Sequence, residues 1–304
     1  MIGGRVTQRA VALTSLQGLN GNLSAVNKLQ QQLTSGKTIS KPSDDPTGTN
    51  TSLLVRQSQA SNLQQARNIT DGQNVLAATD STLQNMLTQV QNVRALTVQA
   101  LNDGSMDPSA LNDIATQISG LRESLLGQAN TVVQGRAIFA GVTTGSTAYD
   151  ANGTYVGAGD GTNPATEVRR WVSDVESIRV DITGPEAFKD PASGKDLFGV
   201  VSDIATDTKS GANGNLRGDL GVLDAVIQRM TTALADVGTR AARMDTAAQI
   251  NTSQQLNLQT MQSQTEDIDL AKTIMNLQMQ QNGYQAALAA TAKALTPTLV
   301  DYLR

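Results

Sequence analysis

Apolar residues at the two ends of this chain recur at steps of alternately three and four, the spacing of a helix that presents one narrow stripe to other helices. Near the start the stripe runs through Leu16, Leu19, Leu23, Val26, Gln30 and Leu33. Near the end it runs through Leu270, Ile274, Leu277, Gln281, Tyr284, Leu288, Thr291 and Leu295. Neither stripe is wide or apolar enough to build a globular core, and both carry polar seam positions, which remove stability while retaining register. The pattern predicts helices that pair with each other and also need neighbouring subunits.

Between the ends, punctuation divides a mostly helical chain. Gly36 can close the first helix, and in Lys41-Pro42-Ser43-Asp44-Asp45-Pro46 the Asp45-Pro46 pair supplies an N-cap and a first-turn proline for a helix reaching about Leu101. Asp107-Pro108 repeats that logic and predicts a helix to about Gly135. From about Phe139 to Pro191 the texture turns to Gly, Thr, Asn and Asp, with the alternating run Ser177 to Thr183 and a facing run at Val168 to Val172 across a turn near Asp174. Alternation at period two predicts a small antiparallel β element there. Helical texture resumes near Lys195, is interrupted from Ser210 to Gly218, and continues from about Leu220 almost to the end.

The expected fold is therefore mainly α: an elongated helical bundle with coiled-coil terminal helices and an inserted small β-rich domain. The expected division is a terminal coiled-coil assembly domain at 1–40 and 265–304, a helical bundle domain at 41–138 and 195–264, and an inserted β-rich outer domain at 139–194. Going out and returning along helices would place both termini at one end of the molecule.

Composition narrows function. Only 3% of the 304 residues are aromatic and 39% hydrophobic, so few large side chains exist to line a substrate pocket. Cysteine and histidine are both absent, which excludes disulfides, thiolate metal sites and Ser-His-Asp or Cys-His catalysis. The net charge of −4 provides no basic footprint for nucleic acid. No stretch approaches a membrane span, and Met1 to Leu19 lacks the apolar core of a cleaved secretory signal.

Features that imitate chemistry have simpler readings. Asp44 and Asp45 fit helix capping better than a paired-carboxylate or Ca²⁺ site. Glu266, Asp267 and Asp269 lack a partnering ligand motif and read as a solvated or subunit-contacting helical face. Gly157 to Gly161 resembles a phosphate loop, but no strand leads into it and no helix follows, so it reads as a surface turn. Asp150, Asp160, Asp174 and Asp181 are the carboxylates an enzymatic or ligand-binding β domain would use, and no spacing among them supports an acid–base pair. No catalytic, cofactor or metal residue is assigned.

Leu33-Thr34-Ser35-Gly36-Lys37 followed by Lys41-Pro42-Ser43-Asp44-Asp45-Pro46 resembles the amino-terminal signature of flagellins and of the flagellar hook–filament junction proteins. Gly135-Arg136-Ala137-Ile138-Phe139-Ala140-Gly141 is similar to the passage at which that family leaves its helical domain. Glu266-Asp267-Ile268-Asp269-Leu270-Ala271 and the closing Leu299-Val300-Asp301-Tyr302-Leu303 resemble the junction branch, of hook-associated protein 3 type, more than filament flagellin. The chain departs from the usual pattern at Ile2-Gly3-Gly4 and at Thr38, where a basic residue is common. The resemblance covers roughly residues 5 to 141 and 240 to 304.

That resemblance implies a secreted, non-enzymatic structural protein of the bacterial flagellum. It implies a ring of identical subunits between hook-associated protein 1 and the flagellin filament, reached as an unfolded chain through the flagellar type III channel with no cleaved signal, with an export chaperone as a further partner. The assembly interface would be Leu16, Leu19, Leu23, Val26, Leu33, Leu270, Ile274, Leu277, Tyr284, Leu288 and Leu295. Filament flagellin, of the same architecture, is the alternative.

Overall fold

The computed structural model describes residues 8–102 and 107–295. Among them it is mainly α, with helices α1 (Gln8–Ser35), α2 (Pro46–Asn102), α3 (Pro108–Ala129), α4 (Gly184–Phe188), α5 (Leu197–Ser210), α6 (Asn213–Glu266) and α7 (Leu270–Leu295). Two two-stranded antiparallel sheets accompany them: β1 (Val132–Val133) with β2 (Arg136–Ala137), and β3 (Arg169–Trp171) with β4 (Ser177–Arg179). The chain divides into two compact units, residues 1–61 with 255–304, and residues 62–254.

The helix boundaries follow local chemistry. Gly36 takes φ +70° just after α1, the left-handed conformation that suits glycine. Asp45 Oδ1 accepts from Thr47 N at 3.1 Å and Gly48 N at 3.0 Å, capping α2 ahead of its first-turn proline. Asp107 caps α3 through Ser109 N in the same way.

Three expected boundaries shift. The third helix ends at Ala129, not near Gly135, because the Asn130 side chain leaves the helix to accept from Ala148 N and Tyr149 N and to donate to Tyr149 O. Gln134 and Gly135, at φ +53° and +81°, then form the turn of the β1–β2 hairpin. The break expected from Ser210 to Gly218 is confined to Gly211 and Ala212, and α6 already starts at Asn213. The helix expected to run unbroken from Leu220 is divided at Asp267 to Asp269.

In the unit of residues 62–254, one continuous core joins Leu76, Leu83 and Met86 of α2, Ile118 and Leu125 of α3, Phe198 and Ile204 of α5, and Val226 and Met244 of α6. Phe139, Tyr149, Ile178, Val180 and Phe188 belong to that same core. All three phenylalanines sit there: Phe139 meets Phe188 at 4.9 Å between ring centroids, and Tyr149 meets Phe198 at 4.6 Å. The β3–β4 hairpin pairs Arg169 with Arg179 and Trp171 with Ser177, as the alternating runs predicted. It is tied to the long helices through Arg170 and Asp71 at 2.6 Å, Arg243 and Glu176 at 2.8 Å, and Arg240 donating to Asp181 O at 2.7 Å.

Asp196 caps α5 through Phe198 N and accepts from the Tyr149 hydroxyl at 3.1 Å. Burial pushes its carboxyl up to about 6, against the opposing pull of those two hydrogen bonds. A carboxyl with a raised folded-state pKa binds its proton more readily when folded. Its contribution to stability is therefore fully present below about pH 4 and lost as pH rises to about 6. Asp196→Asn keeps an acceptor for Phe198 N and removes the buried charge. The variant is expected to match or exceed the parent at pH 7, by on the order of 1–2 kcal/mol, with no difference near pH 3.5. Thermal melts of both proteins across pH 3.5–7 check this, and a variant uniformly less stable at every pH would sink it.

Candidate functional site: the terminal helix pair and its junction

The terminal helices α1 and α7 pack against each other. Burial on α1 centres on Ser15, Leu19, Asn22, Val26, Leu29 and Leu33, flanked by Ala25 and Gln32, and on α7 on Thr273, Leu277, Gln280, Tyr284, Ala287 and Thr291, flanked by Gln281. The central positions of both sets step by alternate threes and fours, so this is a heptad seam, with Gln280 Nε2 donating to Asn22 Oδ1 at 3.0 Å within it. The direction is antiparallel, since Asn22 meets Gln280 while Lys37 pairs with Asp267.

Five of the residues expected in one seam lie outside it. Leu16 is 52% exposed, Leu23 41%, Leu270 58%, Ile274 41% and Leu288 44%, whereas Val26 is buried and Leu19, Leu33, Leu277 and Tyr284 are half-buried. Leu16 and Leu23 recur every seventh residue with Gln30, as do Ile274 and Leu288 with Gln281, so each helix carries a second row immediately beside the closed one. Leu13, Met275 and Met279 are exposed as well. The side chain of Leu295 lies outside the described residues.

Below the seam, the segment 36–45 and the break 267–269 come together. Thr38 N donates to Glu266 O at 2.6 Å, Ile268 N to Gly36 O at 3.2 Å, and the Thr38 hydroxyl to Asp267 O at 3.1 Å. Glu266 is only 3% exposed. It accepts from the Ser52 hydroxyl and from Arg56 Nε at 3.0 Å, and Lys37 Nζ reaches it at 3.3 Å and Asp267 at 2.7 Å. Burial works to raise the Glu266 pKa, but hydrogen bonds from Ser52, Lys37 and Arg56 outweigh it and hold the carboxyl below its ordinary value. The Asp267 hydrogen bond raises the Lys37 ammonium correspondingly.

Glu266, Asp267 and Asp269 thus do not form one solvated face. Glu266 is a buried ion-pair partner, Asp267 belongs to the break, and Asp269 caps α7 through Lys272 N at 3.0 Å. Within the family-type motif, Pro42 and Ser43 are exposed, while Asp44 accepts from Ser40 N and Lys41 N and pairs with Lys28 at 3.3 Å. Asp45 and Pro46 start α2. The cluster around Glu266 escaped the sequence reading because its members are separated by 210 to 230 residues.

Each carboxylate of the middle segment has a structural partner, and Asp181 also borders a cavity, beside Val75, Ile138 and Arg170. Asp150 accepts from Asn152 N and Thr154 N, Asp160 from Thr162 N within the Gly157 to Gly161 turn, Asp174 from Gln65, and Asp181 from Val168 N and Arg179. Among the described residues no group of three or more Asp, Glu, Cys or His side chains is placed to hold a metal ion, and no helix is long and apolar enough to cross a membrane.

Residues 6–144 match the family described as the bacterial flagellin N-terminal helical region, and residues 220–303 match the bacterial flagellin C-terminal helical region. The chain belongs to the flagellin family. Among relatives of this flagellin-family chain, flagellar hook-associated protein 3 of Escherichia coli K12 is 26% identical over 300 residues, covering 91% of this chain and 92% of that protein. Flagellin of Bacillus subtilis 168 is 27% identical over 296 residues, covering 95% and 96%. The fold is shared with FlgL of Bacillus cereus, at a TM-score of 0.58 and 24% identity over 69% of this chain and 99% of that one. It is shared also with the flagellar junction protein FlgL of Legionella pneumophila, at 0.56 and 14% over 71% and 100%. The resemblance to flagellin-like hook-associated protein 3 holds, and these relatives are structural proteins of the bacterial flagellum rather than enzymes.

Proposed function

We propose that this flagellin-family chain is a hook–filament junction subunit. Identical subunits form a ring, with hook-associated protein 1 on one side and flagellin on the other, through packing of terminal helices between neighbours. The observation that carries this reading is the open apolar row beside the closed α1–α7 seam. Covering its four half-exposed side chains, Leu16, Leu23, Ile274 and Leu288, supplies roughly 1 kcal/mol each, a cooperative gain repeated at every subunit contact. In this reading 1–40 and 265–304 are the assembly domain, 41–138 and 195–264 the bundle that carries it, and 139–194 the outer part. The subunit travels unfolded through the flagellar type III channel, held beforehand by an export chaperone, and the lack of cysteine leaves that chain free of cross-links.

Filament flagellin is the second reading, favoured by the near-complete alignment with the B. subtilis flagellin. Cells lacking this protein separate the two. The junction reading expects hooks without filaments and flagellin released into the medium. Loss of the protein together with loss of all extracellular flagellin would instead identify it as the filament subunit.

A further inference from the structure

The α1–α7 seam is poorly equipped to choose its own alignment. Of its twelve positions, Ser15, Asn22, Thr273, Gln280 and Thr291 are polar and Ala287 is small, so sliding one helix by a heptad exchanges one mixed layer for another. The hydrogen bond from Gln280 to Asn22 marks the observed alignment from inside the seam. The stronger constraint lies at the end of the seam. There α1 leaves through Gly36 and only three residues separate Glu266 from the start of α7, so the two helices start from adjoining points only while 36–38 and 266–268 stay joined.

That joint has two layers. An isolated antiparallel bridge, Lys37 with Asp267, aligns the main chains. Buried Glu266 then ties three separate pieces of chain together, through Ser52 and Arg56 of α2, Lys37 of the connecting segment, and its own position at the last residue of α6. A buried carboxylate held from three directions resists slip, because displacing Lys37 removes one of its two cationic partners and leaves Arg56 alone to compensate it. Thr38, where the family commonly carries a basic residue, contributes both its amide and its hydroxyl.

We propose that the Lys37–Glu266–Arg56 cluster is a register latch: it fixes the alignment of α1 against α7 and thereby sets the two open apolar rows in phase with each other. The latch acts within one chain, so it stands whether or not those rows meet a neighbouring subunit.

The absence of cysteine makes the test direct. Gln31→Cys and Ala289→Cys place spin labels on exposed positions of α1 and α7 in the full-length monomer. A one-heptad slip moves one label by roughly 10 Å along the axis, well within the resolution of dipolar distance measurement. With the latch intact, a single narrow distance distribution is expected. In Lys37→Met or Glu266→Gln it should split or broaden by about that step while helicity by circular dichroism is retained, and Lys37→Arg should restore the single distance. An unchanged single distance in both disrupted variants overturns the proposal. So does a parallel loss of helicity, which would make the cluster a source of stability rather than of register.

Discussion

Replacing Leu16, Leu23 and Ile274 together by aspartate is expected to abolish assembly while leaving the monomer folded. All three are more than two-fifths exposed in the single chain, and exposed substitutions away from caps and networks usually shift stability by no more than about 0.5 kcal/mol each. In a packed interface the same carboxylates would be buried without partners, at several kcal/mol each. The contrast separates assembly from folding: the variant should melt within a few degrees of the parent, yet cells carrying it should make no filament attached to their hooks. Val26→Asp is the informative comparison, since it attacks the closed seam and should loosen α1 and α7 in the monomer itself. If the triple variant restores filaments to cells lacking the protein, the open rows are not the contact surface.

Excising residues 142–191 and joining the ends with a flexible linker is expected to destroy cooperative unfolding of the 62–254 unit. A separate inserted domain would tolerate that deletion. Here the excised piece carries Tyr149, Ile178, Val180 and Phe188, all of them 2% exposed or less and all in the core shared with α2, α3, α5 and α6. Loss of one large buried side chain costs about 2–5 kcal/mol, so losing four, about 8–20 kcal/mol, is as large as the whole stability of an ordinary domain, about 5–15 kcal/mol. Removal also takes away Arg179, Asp181 and Glu186, whose mutual ion pairs are nearly enclosed. A thermal scan followed by circular dichroism should show a broad decline in place of a transition. A sharp helical transition in the shortened protein would mean that the segment has its own core.

Local signals were the legible ones. Both Asp-Pro helix starts were readable because cap and capped amide lie within three residues of each other. The β3–β4 pairing was readable from alternation over a few residues. The texture around it, Gly, Asn, Asp and Thr from 139 to 191, proved to mark turns more than strands. Asp150, Asp160, Asn163 and Asp190 each accept from a backbone amide two residues on, so these side chains shape loops where longer strands were not required.

The heptad stripes show where periodicity runs short. Rows at adjacent heptad positions overlap in a step pattern of threes and fours, so Leu16 and Leu23 read as continuous with Leu19 and Val26. Only the partner helix decides which row closes, and here the closed row took Asn22 and Leu29 and left the leucines beside it open. The Glu266 cluster was beyond local reading for a simpler reason. A lysine at 37 and a glutamate at 266 carry no mark in the sequence of each other's presence.

That separation has a thermodynamic consequence. The Lys37 to Asp267 contact spans 230 residues, and closing a loop of that length from an unstructured chain costs about 5 kcal/mol of entropy. Once α2 and α6 lie side by side, joined by Gln59 with Gln262 and by the reciprocal amide pair of Asn62 and Asn251, most of that cost has already been met. The terminal pair is therefore a dependent structure. Weakening α2 or α6 removes the platform on which α1 and α7 find each other, while loosening α1 or α7 leaves the platform standing. Tolerance to mutation should run in one direction along the molecule, with the ends most exposed to damage inflicted elsewhere and least able to pass on their own.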